Sequence, residues 1–200
     1  MGRFWLSSIV LLAVGGSAQS VPPRVSITYI EGTVDVDGQS SPRLDSVLPE
    51  NSLVRTAKGR AQIRFGRGDT LFLGENSSLR VRHNANTVSD EPEILTGSAV
   101  VITGGLGPAV SCVQGVQLSD SGIFRFDVHR AVGETFCQLK VYGGAAAAQM
   151  PSFIWVLTTG KTIDLNRSCG DHTPRDEFKV EDIDALDRWS RRRRSAEPRP

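Results

Sequence analysis

The chain is expected to fold as an all-β protein, an antiparallel β-sandwich or a short β-roll made of a solenoid-like stack of hairpins, followed by one C-terminal α-helix. Three observations predict this. Apolar residues recur with period two from Val25 to Leu165, a glycine recurs in one setting along that stretch, and the spacing turns helical after it.

The first twenty residues, MGRFWLSSIVLLAVGGSAQS, combine Arg3, an apolar run from Phe4 to Val14, and small residues at Gly16 and Ala18. This is the pattern of a secretory signal peptide, expected at residues 1–18 with cleavage after Ala18. An uncleaved signal anchor is the alternative. The apolar run is short for a bilayer, so the mature chain is expected to be periplasmic or secreted.

The strands follow in order. Val25, Ile27 and Tyr29 alternate with polar residues, as do Ile63 with Phe65, Leu71 with Leu73, Leu79 with Val81, Phe124 with Phe126 and Val128, and Leu139 with Val141. Each run is short and bounded by Gly, Pro, Asn, Asp or Ser, as half-buried strands are. Within them a phrase repeats: an apolar residue, then Gly two positions on, then small or apolar residues at alternate places. It occurs as IEGTVDV around Gly32, LTGSAVV around Gly97 and YGGAA at Gly143 and Gly144, with a looser copy in LTTGKTIDL. Such a Gly supplies the positive φ of a turn or bulge, so similar corners are expected to stack along one core. Residues 166–174 are expected to be a loop and 175–194 a helix, starting at Thr173-Pro174 with acids first and arginines last. Its apolar stripe is Ile183, Leu186 and Trp189 or Ser190. Residues 195–200 are expected to be a disordered tail.

Composition limits the function. The 200 residues suit one globular domain, and a net charge of +1 argues against nucleic acid as the main partner. Three cysteines, Cys112, Cys137 and Cys169, in a chain bound for an oxidising space leave at least one outside an internal bond. The pairing is open, with Cys169 bonding to Cys137 or Cys112 as one way to fasten the 166–174 loop.

Candidate chemistry is sparse. Asp127 and His129 alternate on one strand and so share a face, an orienting carboxylate beside a base. The core residues of that strand are Phe124, Phe126 and Val128, which sends the pair toward solvent and argues against catalysis. His83 and His172 are the other histidines. Cys169-Gly170-Asp171-His172 has ligand-type residues but no second cluster at zinc spacing, so neither metal nor cofactor is expected. Arg191, Arg192, Arg193 and Arg194 could contact an anionic surface; a frayed, solvated tail is the plainer expectation. In IRFGRGDTLFL, Gly66 and Gly68 are expected to turn a hairpin and expose Arg67 and Asp69, the tripeptide found in adhesion ligands.

The phrase L-x-x-x-S-x-V-x-T at Leu48, Ser52, Val54 and Thr56, the Gly59 to Leu73 hairpin, and G-x-x-S-x-L at Gly74, Ser77 and Leu79 resemble the FecR family of extracytoplasmic β domains. The likeness spans about residues 25 to 165 and is looser in its second half, where Ser121-Gly122 precedes the Phe124 strand in place of Gly-Thr. It implies a non-enzymatic sensing or interaction module that binds an envelope protein or glycan. Only Met1 to Arg3 precede the apolar run, so direct sigma-factor control is not expected of this chain. The rival reading is a structural, self-associating envelope protein.

Overall fold

The computed structural model describes residues 25–40, 42–65, 68–84, 89–104, 107–149, 154–166 and 176–196. The strands are β1 (Ser26–Val36), β2 (Gln39–Ser40), β3 (Leu53–Phe65), β4 (Asp69–Leu73), β5 (Ser78–Asn84), β6 (Ser89–Thr103), β7 (Ala109–Ser111) and β8 (Gly115–Leu118). They continue with β9 (Gly122–Ala131), β10 (Glu134–Gly143), β11 (Ala145–Gln149), β12 (Ile154–Thr158), β13 (Lys161–Asn166) and β14 (Asp176–Glu177), and helix α1 (Ala185–Ala196) ends the described chain.

All strands belong to one hydrogen-bonded sheet that folds over itself. Strand β3 pairs with β5 through Leu53–Arg55 and with β4 through Ala61–Phe65. Strand β6 likewise pairs with β5 through its first half and with β4 and β9 through its second. The long strands therefore bend and serve two layers. One layer runs β1, β3, β4, β6, β9, β10, β13, β14, and the other runs β2, β1, β3, β5, β6, β7, β8, β11, β12. Every pairing is antiparallel except a single parallel bridge, Glu93 to Ser111.

The repeated glycines sit at the bends. Gly32, Gly97, Gly144 and Gly160 all have positive φ, at 71°, 84°, 86° and 82°. Gly32 and Gly97 lie inside β1 and β6, whereas Gly144 joins β10 to β11 and Gly160 joins β12 to β13, each time where the chain passes from one layer to the other. None of the four is the hairpin corner the repeat predicts: the strand continues through Gly32 and Gly97 as a bend, and the strands joined at Gly144 and Gly160 do not pair with each other.

Side-chain alternation fills the space between the layers with Ile27, Ile63, Phe65, Leu71, Leu73, Leu79, Ile94, Phe124, Phe126, Leu139 and their neighbours. The β3–β4 hairpin pairs Ile63 with Leu71 and Phe65 with Asp69, as the alternation predicts. Yet all five residues of β4 are buried. Phe72, Val100 and Ile102 point away from the main core and form a second cluster with Leu186 and Trp189 of α1. Beneath α1 the first layer is covered on both faces, which is why residues 71–73 and 99–102 read as continuous apolar runs while the rest of the layer alternates.

The helix departs from its expected bounds. Asp176 and Glu177 form a strand against Lys161 and Thr162, and helical turns begin only at Ala185. The first-turn acids drawn from 176–182 thus precede the helix. Ser195 and Ala196, expected in the tail, belong to the helix. Residues 1–24, Thr173-Pro174 and 197–200 lie outside the described residues, as does most of the 166–174 loop; Asn166 closes β13.

Candidate functional site: a helix-covered face and an open edge

Thr56 and Ser77 of the FecR-like phrases are consumed by architecture. The Thr56 hydroxyl donates to the Gly74 carbonyl at 2.5 Å and accepts the Ser77 N–H at 2.9 Å, which fixes the turn between β4 and β5. Ser77 Oγ then accepts the Ser98 N–H at 2.9 Å, directly after the Gly97 bend. The same device recurs at the next corner, where Ser119 Oγ accepts the Ala145 N–H at 3.0 Å, directly after Gly144. Each corner leaves an N–H without a ladder partner, and a serine hydroxyl, buried at Ser77 and half-buried at Ser119, supplies the acceptor. Gly68 has φ 99° at the hairpin tip, and Gly66 and Arg67 lie outside the described residues.

Asp69 corrects the adhesion reading. It is fully buried and its Oδ1 accepts the Gly104 N–H at 3.0 Å, because Asp69 has the same parity as Leu71 and Leu73 and so faces inward. A buried carboxylate is not presented to a receptor.

Cys112 is bonded to Cys137, with Cα atoms 6.2 Å apart. The bond ties the segment after β7 to β10, and thus one layer to the other, so neither cysteine remains for the expected pairing with Cys169. Cys169 and His172 lie outside the described residues.

Asp127 and His129 do not converge on a reaction centre. His129 is exposed and stacks on Phe136 at 5.1 Å, while Asp127 accepts from Ser98 Oγ at 2.6 Å and from Arg125 Nε at 2.9 Å. Asp127 is half-buried instead of solvent-facing, because α1 lies against that face. Side-chain detail for His83 lies outside what is described, and among the described residues no group of three His, Cys, Asp or Glu could hold a metal ion.

The polar centre of the helix-covered face is Arg125. Besides Asp127, its Nη1 meets Asp184 at 2.7 Å and Asp187 at 3.0 Å. Burial opposes its charge, but the hydrogen bonds and charge of Asp127, with Asp184 and Asp187, outweigh burial and hold the guanidinium more firmly protonated than usual. Asp184 is the N-cap: its Oδ1 accepts the Asp187 N–H at 3.0 Å, and Asp187 Oδ2 accepts the Asp184 N–H at 3.1 Å. This reciprocal pair is a capping box in Asp-x-x-Asp form. Burial opposes the Asp184 charge, yet the backbone N–H of Asp187 and the Arg125 guanidinium hold its carboxyl below the usual carboxylate range. Tyr142 donates to Asp187 at 3.2 Å; burial first, then the Asp187 charge, pushes its phenol above its ordinary value.

The far end of α1 is held as well. Trp189 Nε1 donates to Glu31 at 2.9 Å, and Arg193 donates to Gln62 and lies 3.6 Å over the Tyr29 ring. Arg191 lies 5.6 Å over the Tyr142 ring, and Arg192 is exposed. The arginine run is therefore an ordered helix end divided between packing and solvent, not a frayed tail.

The second feature is β12. Among the described residues it is the terminal strand of its layer, paired only on its β11 side, with Ile154 57% and Val156 65% exposed. No charged residue occurs in β8, β11 or β12. The opposite ends of the sheet are β2 and β14, each two residues long.

No family model matches the chain, and no curated protein matches it. Among solved structures, the chain is similar to two crystal structures of "a putative anti-sigma factor" from Parabacteroides distasonis, at 2.50 Å and 1.65 Å resolution. Both are 17% identical; TM-scores are 0.48 and 0.49, with 62% of this chain aligned to 58% and 59% of those chains. The match spans less than two thirds of those proteins, and a likeness at that level lends no activity to this one. Among the described residues, no helix is long and apolar enough to cross a membrane.

Proposed function

We propose that this chain is a non-enzymatic extracytoplasmic interaction module of the FecR type, and that an extended segment of an envelope protein pairs with its β12 edge. The observation that carries the reading is the undefended β12 edge. Natural edge strands are blunted by shortness, charge, proline or bulges, as β2 and β14 are blunted by length. β12 instead offers five uncharged residues and two exposed β-branched side chains at alternate positions, and among the described residues no strand pairs with it on the side away from β11, which suits strand addition. A glycan is favoured less, because this edge presents neither carboxylates nor an exposed aromatic platform. The extracytoplasmic setting is supported by the Cys112–Cys137 bond and by the N-terminal apolar run. The FecR assignment is supported by the structural roles that Thr56, Gly74, Ser77 and Gly97 share in one corner.

One observation favours self-association as a second reading. Since β12 is uncharged, a copy can pair with it antiparallel about Val156 without repulsion. A photo-crosslinker at Val156 in envelopes, with another at fully exposed Val132 as control, separates these outcomes. A distinct partner seen at position 156, absent at 132 and lost on Ile154→Lys, is expected. Self-crosslinks alone would establish the second reading, and equal labelling from both positions would overturn the edge as the site.

A further inference from the structure

The outward face of α1 carries a cluster that neither the fold nor the edge reading uses. Leu186, Trp189 and Ser190 turn toward the sheet, so Arg188 and Arg192, four residues apart, share the opposite side with Arg191 beside them. Arg188 donates to the Ile183 carbonyl at 2.9 Å, and Arg191 rests over Tyr142. Among the described residues, none of these three guanidiniums has a carboxylate partner. Asp184, one turn before Arg188, is engaged by Arg125 at 2.7 Å.

We propose that Arg188, Arg191 and Arg192 form a docking face for the anionic phosphate headgroups of a phospholipid bilayer. Three features support this occupant. The arginines project from a platform fixed at both ends, by the Asp184–Asp187 capping box and by Arg193 over Tyr29, so little freedom is lost on contact. They lie in a row along the outer face of one helix, which fits a planar array of phosphates better than one compact anion, and guanidinium matches phosphate geometry. Finally, the exposed acids Glu181 and Asp182 precede the helix, whereas Arg192 lies about 10 Å along the axis from its first residue. That exceeds the screening length of about 8 Å at physiological salt, so the acids do not cancel the far end of the face.

The surface differs from the run Arg191 to Arg194 read in sequence. Arg188 joins it, and Arg193 leaves it, held on Tyr29 and Gln62.

Sedimentation of the full chain with phosphatidylcholine vesicles, with and without phosphatidylglycerol, tests the proposal at low and physiological salt. The apolar N-terminal run is common to every variant, so differences between variants report the arginines. Phosphatidylglycerol-dependent, salt-sensitive binding is expected, reduced about 25-fold by Arg188→Gln with Arg192→Gln, at about five-fold per arginine. Arg193→Gln is expected to lower the melting temperature and leave the vesicle affinity unchanged. Equal binding by the double variant, or indifference to phosphatidylglycerol, would overturn the proposal. So would displacement from vesicles by heparin at sub-stoichiometric amounts, which would assign the face to an acidic polysaccharide. The crosslinking result at Val156 bears on neither outcome.

Discussion

Arg125 on β9 and Asp187 on α1, 62 residues apart in the chain, meet at 3.0 Å beneath the helix. Asp187 is 97% buried as a side chain by this packing, being only 3% exposed, and it also accepts from Tyr142 and the Asp184 N–H. Asp187→Ala removes all three contacts and leaves part of the Arg125 charge uncompensated. The expected loss is about 3 kcal/mol, or roughly 10 °C in melting temperature. Calorimetry reads the first effect, and Trp189 fluorescence reads release of the helix from Phe72.

The same cluster sets the pH range of the docked helix. Asp184 has a folded pKa below its unfolded value, so its contribution is complete above about pH 4 and is lost as pH falls through the lowered value. Tyr142 has a folded pKa above its unfolded value, so stability falls as pH rises beyond about 10. A plateau between those limits is expected, with Trp189 emission changing on both sides. Asp184→Asn should flatten the acid limb, and Tyr142→Phe the alkaline limb.

Gly97 tests the corner architecture. At φ 84° a Cβ would stand 2.6 Å from the Ser77 Cα as well as against its hydroxyl, and backbone cannot yield there. Gly133 has a similar φ of 79° with nothing within 4 Å of the added carbon. Gly133→Ala should therefore cost only the left-handed strain of about 1–2 kcal/mol. Gly97→Ala should cost more than about 3 kcal/mol, seen as a much lower denaturant midpoint or loss of soluble protein.

These predictions rest on features that differed in how far the sequence revealed them. Period two located the hairpin of Ile63, Phe65, Leu71 and Leu73, since each of those side chains serves one core. It was blind to Phe72, Val100 and Ile102, whose burial depends on a helix more than eighty residues later in the chain. The glycine phrase was legible as a corner, but a bend and a turn need the same φ, so strand continuity through Gly32 and Gly97 was not. The helix start has a sequence signal of its own: Asp184-Ala185-Leu186-Asp187 has capping-box spacing, whereas Thr173-Pro174 has a start signal without the apolar spacing directly behind it. That β12 is the terminal strand among the described residues is not legible in IWVLT, which reads like any buried strand until its neighbours are known.

Asp69 gives the sharpest test of sequence motif against structure. As an adhesion residue it would tolerate Glu in the fold and lose binding. As found, it is enclosed on the inner side of β4 and accepts the Gly104 N–H. An extra methylene there must displace close-packed neighbours, at about 1–3 kcal/mol. Asp69→Ala instead strips the Gly104 N–H of its acceptor, also at about 1–3 kcal/mol. Both variants should melt earlier than the parent and crosslink through Val156 as the parent does; an unchanged melting temperature with a lost binding activity would restore the adhesion reading.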